Sequence, residues 1–337
     1  MAPVGREFGE CGMRAVRLYE FGDAGKLRFE EVADPVPAAG QVLIDVQASG
    51  VHWIETTLRR GVSVGPHAPP VLPTTPGAEV AGVVGAVGPD VAAEWLGRRV
   101  VAQLDAFGGG YAERAVTSVA SLHSIPDHLD VDHAVAAITT GATAQGVLDV
   151  ARLSADDVVL VMSAAGGLGS LFVQAARRLG AVVVGVAGGA AKVERVRALG
   201  ADVAVDYRAA DWPDRVRDAL GDRVVSVVLD GVGGASGRQA LELLGPGGRF
   251  LLYGWASGEP TEIGTRDLIE RQLSATWAIG PNMVPAGGMR ELVTRSLEAA
   301  AAGRLVPTIT RFPLSRAADA HAALEAREAE GKVVLTA

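Results

Sequence analysis

Residues Asp157–Lys192 read DVVLVMSAAGGLGSLFVQAARRLGAVVVGVAGGAAK. Val158 to Met162 is an unbroken apolar run, as expected of a strand covered on both faces of a parallel sheet. Ser163-Ala164-Ala165-Gly166-Gly167-Leu168-Gly169 then packs small residues into a turn. Leu168, Leu171, Phe172, Ala175, Ala176 and Leu179 recur at spacings of three and four, which predicts a helix that stops at Gly180. Val182 to Val186 is the next buried strand. A glycine turn opening a helix between parallel strands brings bare backbone N–H groups and the positive end of the helix dipole to one point. That point suits a pyrophosphate, so the stretch reads as a dinucleotide-binding unit. The competing reading is tight helix–strand packing alone.

The residues after the second strand bear on which dinucleotide. An NAD-binding unit usually ends this strand with an acidic residue that holds the ribose hydroxyls. Here the chain runs Ala187-Gly188-Gly189-Ala190-Ala191, without a carboxylate, into Lys192, Arg195 and Arg197. Lys192 is one of three lysines, with Lys26 and Lys332. A missing acid and a supplied cation fit the 2′-phosphate of NADPH; a solvated basic helix face is the other reading.

Outward from this unit, 337 residues suit two domains rather than one core. A net charge of −8 with scattered basic residues argues against nucleic acid as a partner. No apolar run is expected to span a bilayer, and the one cysteine, Cys11, excludes an intramolecular disulfide and a cysteine-rich metal site. Met1 to Gly12 reads as an extension without the features of a secretion leader, so a cytoplasmic enzyme is expected. Alternating strands at Met13–Tyr19, Leu27–Val32, Val42–Ser49, Gly77–Val87 and Arg99–Gln103 predict an all-β region. Ala134–Val150 carries helical spacing. Strands at Val203–Asp206, Val224–Asp230, Arg249–Gly254 and Leu273–Ile279, with helices at Lys192–Leu199 and Ser236–Leu244, predict a doubly wound parallel sheet. Met289–Ala302 reads as a helix and Gly331–Leu335 as a last strand.

Several short segments then fall into a familiar order. They are ASGVHWIET from Ala48, PGAEVAG from Pro76, GGYAE from Gly109, GATA from Gly141, the glycine turn, LDGVGG from Leu229, YGWASG from Tyr253 and GKVVL from Gly331. Their succession resembles the medium-chain dehydrogenase/reductase superfamily and, within it, the zinc-independent quinone oxidoreductases. The resemblance runs from Met13 to the C-terminus. It implies an α/β fold, with a GroES-like β domain over residues 13–133 and 280–337 and a doubly wound Rossmann domain over residues 134–279. It also implies a homodimer and NADPH (or NADP+) as cofactor. Lys192 matches the family's 2′-phosphate lysine, and Tyr207 the tyrosine packed beside that phosphate, though a strand-end tyrosine is the plainer reading. Thr143 and the turn at Gly254 match positions near the nicotinamide. Ala165, Gly166, Gly167, Leu168, Gly188, Val232, Tyr253, Trp255 and Lys332 complete the implied cofactor set.

Zinc-dependent relatives place cysteine and histidine in the segment aligned with His52 and Trp53, and histidine at the position of Ala78. His52 is thus one potential ligand where a catalytic zinc needs three, and no metal is expected. Without a Lewis acid, hydride addition to a quinone or an enone is easier than reduction of a simple ketone, because the conjugated carbonyl spreads the charge. His52, where many relatives have asparagine, is the candidate to donate to that carbonyl or relay a proton. A structural histidine remains the alternative. Thr57 replaces the family's usual tyrosine, and Thr276-Trp277-Ala278 its Thr-Arg-Pro stretch. With Trp53 and Trp255 these suggest an aromatic-walled site for a planar substrate. An enoyl reductase acting on a thioester or polyketide-type intermediate would want a basic patch, for which Arg59-Arg60 is the compact candidate. A non-catalytic NADPH-binding sensor is the third reading.

Overall fold

The computed structural model describes residues 12–65, 67–104 and 108–337. Cys11 and the expected extension, apart from Gly12, lie outside them. In chain order the first elements are β1 (Gly12–Leu18), β2 (Leu27–Ala33), β3 (Gln41–Val51), α1 (Trp53–Arg59), β4 (Glu79–Val87), β5 (Arg99–Gln103), β6 (Arg114–Ser118) and β7 (Leu122–Ser124). Then come α2 (Val131–Ala136), α3 (Ala142–Ala151), β8 (Val158–Val161), α4 (Gly167–Leu179), β9 (Val182–Ala187), α5 (Ala190–Ala198) and β10 (Val203–Asp206). They are followed by α6 (Trp212–Leu220), β11 (Val225–Asp230), α7 (Gly234–Leu243), β12 (Leu244–Leu252), α8 (Thr265–Arg271) and β13 (Ser274–Trp277). The last are α9 (Gly288–Ala301), β14 (Ile309–Pro313), α10 (Ala317–Glu325) and β15 (Lys332–Thr336). The chain forms two compact units, residues 140–306 and residues 1–139 with 307–337.

In the first of these, described strands lie in the order β10-β9-β8-β11-β12-β13, all parallel. The strand order reverses at β8, so the loops after β8 and β11 open a crevice at the carboxyl ends, where ligands of such sheets bind. Both faces of the sheet are covered. Val159, Val161, Leu171, Phe172, Val183, Val227 and Leu229 fill one side, and Leu160, Met162, Val184, Trp212, Val228 and Phe250 the other. That is why β8 and β9 read as continuous apolar runs rather than alternating ones.

In the second unit the sheet order is β14-β15-β3-β4-β5-β7, with β6 also pairing β3, and β1 and β2 form a separate hairpin. β3 is central, flanked antiparallel by β15 and β4. Val42, Ile44, Val80, Val84, Val100 and Leu122 pack on one side of it, and α10 with Val16, Leu18, Val51, Tyr111 and Val333 form a further cluster.

Three expectations need correction. The division falls at 139/140 and 306/307 rather than at 133/134 and 279/280. Segment 280–306 packs on α3: a Cβ added to Gly146 would lie 2.8 Å from Met283 Cβ and 3.2 Å from Leu292 Cδ1. The helical run Val131–Ala151 is also long and apolar enough to cross a membrane by length and composition, with mean hydropathy 1.2. Since 61% of that window is buried inside the protein, it reads as a core helix. Finally, α1, β7, β14 and α10 are absent from the expected elements, whereas α6 and α8 fill places between strands where helices are expected.

Candidate active site

The turn after β8 is built from backbone. Ser163 holds φ 51°, and the N–H groups of Ala164 and Gly166 bond the carbonyls of Val186 and Ser163 at 2.9 Å each. Gly169 is fixed by packing: a Cβ there would lie 2.3 Å from the Ser163 carbonyl oxygen. Gly166 is the N-cap of α4, and no side chain caps the helix. Its first N–H groups, from Gly167 onward, therefore lack an intrahelical acceptor, and no acid stands in the first turn. An anion is the partner this end of a 13-residue helix prefers. Ala165, Gly166, Gly167 and Leu168 form this turn and the start of α4.

Next to it, β9 ends at Ala187 and Gly188-Gly189 lead into α5. Tyr207 folds over this corner: its N–H bonds the Ala187 carbonyl at 3.2 Å, and its hydroxyl lies 3.5 Å from where a Gly188 Cβ would be. Lys192 is in the first turn of α5, an end where the helix dipole disfavours a cation unless an anion arrives. Two neighbours carry no signal in the sequence. Arg208 Nη2 lies 2.5 Å from a Cβ position at Gly189, so Gly189, at φ 97°, admits the guanidinium. Asp206, opposite Ala187 in the sheet, takes Arg208 Nε at 3.2 Å and Nη2 at 3.1 Å. The Arg208 side chain chiefly, with the main-chain N–H groups of Arg208 and Gly189, holds its carboxyl at about 2 against a modest desolvation cost. Since Asp206 stands at the end of the third strand, a search for an acid after the second cannot find it.

At the carboxyl ends of β11 and β12, Asp230 organises the loops. Fully buried, it accepts from Val232 N at 2.8 Å, Gly233 N at 3.1 Å and Thr261 Oγ1 at 2.6 Å. Tyr253 packs edge-on to Phe172, with centroids 5.2 Å apart, and its hydroxyl donates to the Met162 carbonyl at 3.3 Å. Burial, then the Asp230 charge, pushes its pKa up, so this phenol is a fixed wall. Gly254 follows, then Trp255, which meets Trp277 at 5.4 Å with the planes tilted by 40°. Both indoles are exposed, at 40% and 42%. Thr143 lies on α3, half-buried.

In the β unit, sheet register assembles a second centre. β15 sets Val333 opposite Val51, and β4 sets Val80 opposite Ser49, so Lys332 and Glu79 converge from the starts of β15 and β4 on His52, the residue after β3. Lys332 Nζ lies 2.6 Å from Glu79 Oε1 and 2.9 Å from His52 Nε2; His52 Nε2 lies 3.0 Å from Glu79 Oε1. Glu79 is fully buried and Lys332 nearly so, at 4%. Burial alone would raise the carboxyl's pKa, but His52 and Lys332 outweigh it and hold Glu79 at about 2. Gly50 makes the room, since a Cβ there would fall 1.8 Å from Glu79 Oε1. Lys332, expected at the cofactor, is instead committed to Glu79 and His52. Glu79 belongs to the PGAEVAG segment but carries no expected role, because nothing local distinguishes it from a strand-end acid.

A buried carboxylate clamps this centre. Glu55 accepts from His52 N at 2.8 Å, Ala78 N at 2.9 Å and Tyr111 Oη at 2.7 Å. Burial raises its pKa, and raises that of Tyr111 well above the ordinary phenol value. Behind Tyr111 come His321, 3.0 Å away, Arg59 and Glu325. Arg59 is 2% exposed and Arg60 pairs with Glu325 at 2.9 Å, so Arg59-Arg60 is no open basic patch. Trp53, 42% exposed, and half-buried Thr57 share one face of α1. Among the described residues, no three His, Cys, Asp or Glu side chains gather as metal ligands.

Known proteins match along this whole layout. A model of the alcohol dehydrogenase GroES-like domain matches residues 38–127, and one of zinc-binding dehydrogenases residues 167–295. The human quinone oxidoreductase is 32% identical over 97% of this chain and 98% of its own. A Burkholderia 2-haloacrylate reductase is 32% identical over 95% of this chain and 98% of its own. The solved Escherichia coli quinone oxidoreductase complexed with NADPH superposes with TM-score 0.83 at 27% identity, over 96% of this chain and 100% of that one. The fold and its paired centres define a medium-chain dehydrogenase/reductase. Within that superfamily the chain belongs to the zinc-independent quinone oxidoreductases, and it is an oxidoreductase whose parallel-sheet unit binds an NAD(P)-type cofactor.

Proposed function

We propose that the protein is a metal-independent, NADPH-dependent reductase of quinones or α,β-unsaturated carbonyl compounds, with planar aromatic substrates preferred, working in the cytoplasm as a homodimer. The observation that carries the cofactor choice is the corner at Gly188, where Tyr207 and Arg208 pack, Lys192 stands in the first turn of the helix that follows, and the nearby acid, Asp206, is already engaged by Arg208. A 2′-phosphate suits that corner; a ribose diol would have to displace Arg208 from Asp206. The diphosphate fits the uncapped start of α4.

When bound, NADPH supplies a hydride to the conjugated carbon, and the substrate's carbonyl oxygen takes up the displaced electron pair. His52 answers that oxygen, donating a hydrogen bond and then the proton. Glu55 fixes the backbone from which the imidazole projects. Trp255 and Trp277, which meet in the parallel-sheet unit, offer exposed flat faces that suit a quinone or polycyclic enone. The name of the Burkholderia relative, a reductase of a haloacrylate, supports an activated alkene as the chemical class. A thioester substrate loses its expected basic patch with Arg59 buried.

The test is NADPH oxidation at constant enzyme against a panel of quinones, enones and enoyl thioesters, repeated with NADH. Turnover of quinones or enones with NADPH favoured is the expected result. Turnover confined to thioesters, or none with any acceptor, overturns it.

A further inference from the structure

The β unit holds two histidines, His321 buried and His52 half-buried, each with one ring nitrogen beside a cation that has only protons to give. His321 Nδ1 lies 3.3 Å from Arg59 Nη1, and its Nε2 lies 3.0 Å from Tyr111 Oη. A guanidinium cannot accept, so Nδ1 must, and the neutral ring carries its proton on Nε2, toward the tyrosine. Burial, then Arg59, depresses the His321 pKa to about 3, so the ring is neutral. The chain of donors therefore runs one way, from Arg59 through His321 and Tyr111 to Glu55.

The same argument applies at His52. Lys332 Nζ meets Nε2 at 2.9 Å in hydrogen-bond geometry, and an ammonium has three donors and no acceptor. Glu79 Oε1 also approaches Nε2, at 3.0 Å, but without aligned hydrogen-bond geometry, and neither Glu79 oxygen has a hydrogen-bond partner by that measure. Alone beside the ring, this carboxylate would draw the proton to Nε2. The ammonium sets the opposite preference. We propose that Lys332, anchored by Glu79, is a positioning residue that sets the proton of the neutral form of His52 on Nδ1. The imidazole then offers an N–H at Nδ1, the ring nitrogen turned away from Lys332 and Glu79.

The charged groups facing the ring are Glu79 from β4 and Lys332 from β15, while Glu55 from α1 holds the main-chain N–H. The catalytic consequence, though not the tautomer, rests on the reading of His52 as the substrate's proton donor: as the Nδ1 proton passes to the oxygen, Nε2 takes one from the Lys332 ammonium, so the ring stays neutral. In that reading, a ring protonated on Nε2 would present a lone pair to the substrate oxygen and could not donate to it. The arrangement explains why a lysine is buried in a protein with only three of them.

The test is nitrogen-15 multiple-bond correlation spectroscopy of the imidazoles in the full-length protein, with and without NADPH, at a pH where His52 is neutral. His52→Asn assigns the signals. The expected spectrum shows Nδ1 protonated and Nε2 bare. Lys332→Met should protonate Nε2, and Lys332→Arg, again donor-only, should keep the wild-type pattern. On an enone, Lys332→Met should lower kcat about a hundredfold with NADPH affinity unchanged, and Lys332→Arg should restore part of it. A wild-type ring protonated on Nε2 overturns the proposal even if Lys332→Met fails to fold. An unchanged tautomer in a folded Lys332→Met overturns it as well. A proton on Nδ1 combined with a fully active His52→Ala supports the positioning and overturns the catalytic reading instead.

Discussion

In each unit a buried carboxylate beside the functional loops accepts three hydrogen bonds and so shapes them. Asp230 takes the N–H groups two and three residues on, and the Thr261 hydroxyl. Glu55 takes one local N–H, from His52, but its others come from Ala78 and Tyr111, 23 and 56 residues away. The first organises a loop that its own chain segment already favours. The second ties three distant segments together at the point where His52, Glu79 and Lys332 meet. One unit thus makes its site from backbone and the other from buried side chains, and the two should fail differently.

The largest effect is expected where the carboxylates are removed. Glu55→Ala strands three buried donors at about 1–3 kcal/mol each before relaxation, so a loss of about 3–5 kcal/mol is expected. Asp230→Ala should cost less, about 2–3 kcal/mol, because a local turn relaxes more easily. Denaturant melts give the size, and NADPH titration gives the kind. Asp230→Ala should weaken NADPH binding severalfold, whereas folded Glu55→Ala should bind it normally and turn over slowly. Equal loss of cofactor affinity in both variants would erase the distinction.

Next comes the corner at Gly188. Lys192→Ala should lower NADPH affinity about ten- to a hundredfold and leave NADH nearly unchanged, and Arg208→Ala should do the same more weakly. Calorimetric titration of both cofactors measures this. Equal wild-type affinities for NADH and NADPH would remove the basis for the assignment.

The same contrast decides which parts of the molecule are legible in its sequence. Strands β8 to β11, helix α4 and the glycine turn are legible because period, glycine and apolar runs act over a few residues. The Asp230 loop is visible as LDGVGG for the same reason. The meeting of Lys332 with His52 is not, since it depends on the register of β15 and β4 against β3, with the partners 280 positions apart. The family resemblance therefore implies Lys332 at the cofactor and gives Glu79 no role. Arg208 escapes notice because its approach to Gly189 exists only once β10 lies beside β9. The domain border at 306/307 is equally hidden, because α9 is distinguished by its packing on α3 and not by its residues.

The smallest effect is expected from metal removal. Ala78 and Trp53 have no ligand atoms, and the ammonium of Lys332 already sits against His52 and Glu79. Prolonged chelation should leave kcat unchanged, and elemental analysis should find no stoichiometric zinc. Activity lost to the chelator and restored by zinc would contradict this.

The division of labour between the two centres is tested most directly by His52→Ala, assayed for kcat on an enone and for NADPH affinity in the same preparation. A donor acting as charge develops on the substrate oxygen should cost about a hundredfold in kcat when removed, with cofactor affinity unchanged. His52→Asn, which keeps a donor, should retain much of the rate. Full activity of His52→Ala, or a loss of NADPH affinity matching the loss of kcat, would contradict the account.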